Sequence, residues 1–216
     1  MTQFDLSETD RLLSTTRAVR KRLDFDRPVE RDVLMECVSL AQQAPTGSNS
    51  QGWRWLFVTD PATKEALAGF YRRAGGDYLA AARKSLGDAR SQQVQVLDSA
   101  SFLAENLERV PVLVIPCLKG KPAAGTHPAA LAGYFGSIYP AVWSFQLALR
   151  ARGLGSSLTT FHLAFENETA ELLGIPNDVM QVALLPVAYT VGTDFKAADR
   201  PPPEHIVHWE KWGNKP

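Results

Sequence analysis

Arg17 and Arg20 stand three residues apart near the start of the chain. That spacing can aim two guanidiniums at one anion, and the planar fork of arginine suits phosphate. Lys21 and Arg22 follow directly, so the same cluster also suits a plain solvated surface. A second candidate is Ala44-Pro45-Thr46-Gly47-Ser48-Asn49-Ser50-Gln51-Gly52-Trp53. Its small polar side chains and amides could hydrogen-bond the polar edge of a ring system, or simply stop a helix and start a strand. A third is Gly153-Leu154-Gly155-Ser156-Ser157-Leu158-Thr159-Thr160, with Arg200-Pro201 far downstream. A dinucleotide fold needs strand, glycine turn and then helix, with a third glycine in place. Here the segment follows a helix and that glycine is missing, so this reading is rejected. A Walker loop is absent too.

Other chemistries are poorly supplied. The histidines are His127, His162, His205 and His208. The last two are three apart in an extended tail with no third ligand evident, so no metal site is expected. Ser156 and Ser157 have no recognisable base and no Gly-x-Ser-x-Gly elbow, which argues against nucleophilic hydrolysis. Cys37 and Cys117 sit among apolar neighbours and read as reduced core thiols.

The chain has 216 residues, 45% hydrophobic, enough for one substantial core. Lys plus Arg and Asp plus Glu are both 23. That balance gives no general reason to bind nucleic acid or an acidic membrane, so any anion site must be local. The polar, acidic start lacks the pattern of a signal peptide, and no run approaches the length of a membrane span. A cytoplasmic protein is expected.

Periodicity predicts the elements that must hold these residues. Residues 7–16 read as a short helix. In 31–44, Val33, Leu34, Cys37, Leu40, Ala41 and Ala44 share a helical face. Residues 53–58 read as a strand, and Asp60-Pro61 opens a helix to about Arg73. The alanine-rich stretch 75–107 reads as helical with a break near Gly87. Residues 111–117 form a continuous apolar run, as in a strand buried on both faces. One long, mostly buried helix is predicted over 129–152, with Gly153 just past its end. Strands over 156–161 and 180–191 flank a helix over 166–173. The tail with Pro201-Pro202-Pro203 stays extended and reads as an arm. This order argues for a single α+β domain with a mixed sheet.

The three segments and the late arginine, in this order, resemble the flavin-dependent nitroreductase family. That family opens with roughly Arg-Arg-Ser-Val-Arg, matched here by Thr16-Arg17-Ala18-Val19-Arg20. Its Ala-Pro-Ser-x-x-Asn-x-Gln-Pro-Trp is matched by residues 44–53, and its Gly-Leu-Gly by residues 153–155. The resemblance spans about Leu13 to Val207. It implies a three-layer α/β/α fold with a mixed, mainly antiparallel sheet, one domain over 1–216 and an extended arm at 195–216; the segment 75–107 matches no motif of the family and is expected to form a variable helical lid. It implies a homodimer with FMN at the subunit interface. Arg17 and Arg20 would then hold the FMN phosphate and ribityl chain, with Ala18 and Val19 adding backbone contacts. Pro45, Thr46 and Gly47 would reach the flavin from the partner subunit, while Asn49 organises their loop. Leu158, Thr159 and Thr160 would lie beside the isoalloxazine, and Arg200 would close on the phosphate. Thr16 and Ala18 depart from the motif, which removes one phosphate hydrogen bond, and Gly52 replaces a usual proline.

The activity so implied is a ping-pong transfer of hydride from NADH or NADPH, through flavin N5, to a nitroaromatic, a quinone or a similar small molecule. The flavin does the chemistry, so no acid–base side chain is expected to be catalytic. Relatives of this fold leave other readings open: a deazaflavin donor, a dehalogenase, an enoyl-type reductase, or a flavin-binding protein without turnover.

Overall fold

The computed structural model describes residues 4–86 and 92–216. The chain divides into two compact units, Met1–Thr16 with Asp194–Pro216, and Arg17–Thr193. The break expected near Gly87 lies outside the described residues. No helix among the described residues is long and apolar enough to cross a membrane.

The larger unit is organised around β2 (Val112–Lys119), the apolar run expected to be buried on both faces. β1 (Trp53–Val58) pairs antiparallel along one edge of it, from Trp53 opposite Leu118 to Val58 opposite Leu113. Along the other edge lie β4 (Val179–Gln181) and β5 (Leu185–Tyr189), also antiparallel, and β3 (Leu154–Ser156) pairs with β5. Successive strand residues point to opposite faces. Val112, Val114 and Leu118 therefore join Leu185 and Val187 against α2 (Arg31–Ala41) and α6 (Tyr139–Ala151). Leu34, Cys37, Val142, Phe145 and Leu149 fill that layer. Leu113, Ile115 and Cys117, alternating with them, are buried on the opposite face. Both cysteines are free and buried.

Four expected elements differ from the sequence reading, each for a local reason. The strand over 180–191 is split. Ile115 and Pro116 on β2 face the stretch Val182, Ala183 and Leu184, three residues against two, which is a bulge. Pro116 has no N–H to continue the ladder, though its carbonyl still accepts from Val182 N–H at 3.1 Å. The strand over 156–161 ends at Ser156; beyond it Thr159 alone pairs, with Leu184, and Phe161–Phe165 winds as a 3-10 turn. The long helix over 129–152 is two helices, α5 (Pro128–Gly136) and α6. Pro140 lacks the N–H that would bond back to Gly136, so Ser137 and Ile138 bond three residues back instead. Of the two, α6 carries the buried face and α5 has no buried residue.

The helix expected to end near Arg73 runs on as α3 (Pro61–Ser85). Asp60 caps it, accepting from Thr63 N–H at 2.8 Å, and Pro61 takes the first position. Gly75 does not break it because that glycine is buried beneath a ring: a Cβ there would lie 2.5 Å from Phe161 Cδ2. α4 (Gln92–Asn106) packs against α3, with an Arg83–Asp98 ion pair of 2.8 Å between them. Helix α7 (Glu166–Leu173) matches its expected bounds and ends on Gly174 in the left-handed region.

In the smaller unit, α1 (Leu6–Thr15) is capped by Asp5, which accepts from Glu8 N–H at 3.1 Å. Residues 194–216 are irregular apart from one turn at Pro203–His205. Near its end the rings of His208 and Trp212 stack 4.4 Å apart.

Candidate functional site

The first and third segments meet through the backbone. Val19 N–H donates to Ser156 O at 2.8 Å, and Ala18 forms a parallel bridge with Ser156. Gly155 makes that approach feasible. A Cβ at residue 155 would fall 2.9 Å from Val19 Cβ and 2.7 Å from Thr190 Cγ2, closer than packed atoms tolerate. Gly153, with φ +77°, supplies the left-handed turn between α6 and β3. The glycines of Gly153-Leu154-Gly155 thus serve chain reversal and close packing.

Val19 is buried in this contact, while Arg17 and Arg20 on either side of it are half-buried and Ala18 is exposed. Arg20 Nη1 donates to Ser99 Oγ of α4 at 3.1 Å. Burial lowers the Arg20 pKa, and nearby Tyr71 raises it. Arginine stays cationic regardless, so a partly desolvated positive charge faces this region.

Beyond Ser156 the chain passes Ser157, whose buried hydroxyl has no partner among the described residues, and reaches Leu158, Thr159 and Thr160. Leu158 and Thr160 are exposed. Thr159 is held on every side: its N–H donates to Leu184 O at 3.0 Å, its carbonyl accepts from Leu184 N–H at 2.8 Å, and its hydroxyl lies 2.9 Å from that of Tyr71. Burial pushes the Tyr71 pKa up, against the Thr159 hydrogen bond and Arg20. The phenol therefore stays protonated at neutral pH.

The second segment is built onto Ser137, at the break between α5 and α6. Gly47 N–H donates to Ser137 Oγ at 3.0 Å, and Trp53 Nε1–H donates to Ser137 O at 2.6 Å. Thr46 Oγ1 accepts from Gln51 N–H at 3.2 Å, and Gln51 Nε2–H donates to Asn49 Oδ1 at 2.9 Å. Asn49 thus accepts one hydrogen bond within the loop that the resemblance assigns it to organise. Pro45, Asn49, Gln51 and Arg54 line an open polar cavity of about 560 Å³. Arg200 belongs to the smaller unit, where it is exposed and donates to the adjacent Asp199 O at 3.0 Å.

The structure thus joins Arg17–Arg20 to Ser156–Thr160, and joins Pro45–Gly47 to Ser137. Three neighbours of these segments carried no signal in the sequence: Tyr71, Ser99 and Ser137. Each is a hydroxyl on a helix or at its end, indistinguishable from surface residues until the chain is folded. His162, next to Phe161, is fully buried. Neither ring nitrogen has a partner among the described residues, and burial pushes its pKa down to about 4.

Two half-buried arginines flank the Val19–Ser156 contact, and the chain that follows Ser156 exposes Leu158 and Thr160; a pair of guanidiniums suits an anionic ligand. Among curated proteins, the chain is 28% identical to an NADH dehydrogenase of Thermus thermophilus, over 92% of this chain and 97% of that one. Among solved structures, it superposes on an iodotyrosine deiodinase bound to FMN and 3-iodo-L-tyrosine with a TM-score of 0.69 at 23% identity, covering 94% of this chain and 99% of the other. The FMN and NADPH-dependent nitroreductase NfnB of a Sphigopyxis strain gives 0.65 at 20% identity, with coverage of 94% and 99%. The profile described as the nitroreductase family matches residues 13–189, most of the sequence. With that match and this antiparallel α+β fold, the chain belongs to the nitroreductase family of flavoprotein oxidoreductases.

Proposed function

We propose that this protein is an FMN-dependent oxidoreductase that takes reducing equivalents from NADH or NADPH and delivers them to a small acceptor, a nitroaromatic or quinone by family analogy. The observation that carries the reading is the Val19–Ser156 contact. It ties the segment that carries the two arginines of the opening motif to the strand end that precedes the exposed Leu158 and Thr160. Bound FMN would supply the hydride chemistry. The chain's own part is binding and orientation. Arg17 and Arg20 offer bidentate donors to a phosphate of nearly two negative charges, and by family analogy Arg200 would add a third cation. Ala18 and Val19 carry the arginines on a backbone whose amide at Val19 is already spent on Ser156. Leu158 and Thr160 offer one apolar and one hydroxyl side chain toward a ring system. In this reading the whole of 1–216 works as one domain and two copies pair. Pro45, Thr46 and Gly47 then serve the site of the second copy, and residues 195–216 form the arm. In support, Gly47 is anchored on Ser137, a different post from the Val19–Ser156 contact.

The test is an anaerobic visible spectrum of the purified protein before and after NADH or NADPH. A yellow protein that bleaches supports the reading and identifies the faster donor. A yellow protein that neither nucleotide bleaches removes the NAD(P)H half and points to a deazaflavin or to binding without turnover. A colourless protein that refuses added FMN removes the whole. One second reading has a specific support, the likeness to iodotyrosine deiodinase. Iodide release from 3-iodotyrosine by the reduced protein would favour it over nitro or quinone reduction.

A further inference from the structure

Tyr71 ties α3 to the candidate flavin site. Its side chain is buried at 2% exposure, yet it ends in a hydroxyl placed 2.9 Å from Thr159 Oγ1. Its ring meets Phe161 edge-on, with centroids 5.1 Å apart. Four and seven residues further along the same helix face lie Gly75 and Tyr78. Gly75 makes room for the Phe161 ring, and Tyr78 meets it with centroids 5.9 Å apart. Phe70 stacks on Phe165 at 5.7 Å, and Arg73 sits 4.3 Å over the same ring. This part of α3 is fastened along the turn that follows Thr159.

The polar groups of Thr159 are committed to Leu184 and Tyr71. A residue so occupied is a poor contact for a ligand and a good post for its neighbours. We infer, on the flavin-site reading given above, that Tyr71 is a positioning residue. Its hydroxyl fixes Thr159, and this sets where Leu158 and Thr160 meet the isoalloxazine. Thr159 then acts on the cofactor through its neighbours, and Leu158 and Thr160 make the contact.

The test is titration of FMN into flavin-free protein, read by quenching of flavin fluorescence, with thermal unfolding of the same samples. Tyr71→Phe and Thr159→Val each remove one partner of a single hydrogen bond, so each should raise the FMN Kd by about threefold to tenfold. Together they should be no worse than the weaker single variant, because they break the same bond. Thr159→Ser keeps the hydroxyl and should bind FMN as the unaltered protein does. The flavin midpoint potential should move in Tyr71→Phe and in Thr159→Val alike and stay in Thr159→Ser. A lower unfolding temperature with unchanged Kd and potential would make the bond merely structural and overturn the inference. If Tyr71→Phe does not fold, the Thr159→Val and Thr159→Ser pair decides alone: equal affinities overturn the inference. Unaltered protein that does not bind FMN overturns the flavin reading itself, and the inference with it.

Discussion

At the residue scale, the candidate site rests on side chains held from behind. Arg20 is braced by Ser99 and lies near Tyr71, so its guanidinium is aimed before any ligand arrives. Hydrogen bonds to charged groups contribute roughly 1.5–3 kcal/mol each. Replacing Arg20 or Arg200 by alanine should therefore weaken FMN binding about tenfold to a hundredfold, measured by flavin fluorescence titration. Unchanged affinity in Arg200→Ala would remove Arg200 from the site. His162 gives a second expectation. Burial lowers its pKa from 6.5 to about 4. Between those values the unfolded chain binds a proton that the folded chain refuses. The associated stability is fully present above 6.5 and is lost as pH falls toward 4, by roughly 3 kcal/mol at most. Urea unfolding across that window should show the decline, and His162→Leu should flatten it to the carboxylate contribution. The residue types of the candidate site were legible because arginine pairs, small loop residues and glycines carry their chemistry openly. Ser99 and Tyr71 were not, because only folding places their hydroxyls beside Arg20 and Thr159.

At the element scale, two glycines separate packing from function. Gly75→Ala pushes a Cβ into the Phe161 ring, and overpacking of this kind costs typically 1–3 kcal/mol. Gly155→Ala meets Val19 and Thr190 instead, and so pries the arginine segment from β3. Both variants should unfold at lower temperature. Gly155→Ala should also lose FMN affinity by more than its share of stability, as thermal unfolding paired with FMN titration would report. The apolar runs made β1 and β2 readable to within a residue or two, and α7 matches its expected bounds. Two errors share one cause. Apolar periodicity continues across Gly136 to Pro140, so α5 and α6 looked like one helix. The stretch from Gly75 onward reads as a separate helical segment, so α3 looked short. In both, the decision lay with a backbone group or a distant ring that periodicity does not register.

At the scale of the whole molecule, two copies of the chain are expected to share their flavin sites. Light scattering with size-exclusion chromatography should give a dimer, with one FMN per chain by absorbance. A monomer retaining full FMN would contradict that assembly. The sheet itself carries a further consequence, at Pro116. Hydrogen-bond demand ordinarily rewards a continuous ladder, and a valine at 116 would offer the missing donor to the stretch Val182–Leu184. One way to use it would be to let 185–189 slide by one residue along β2. Because side chains alternate faces, that slip would turn the buried Leu185 and Val187 to the wrong face and uncouple Leu184 from Thr159. A proline at 116 withholds the bond that such a mistaken pairing would use.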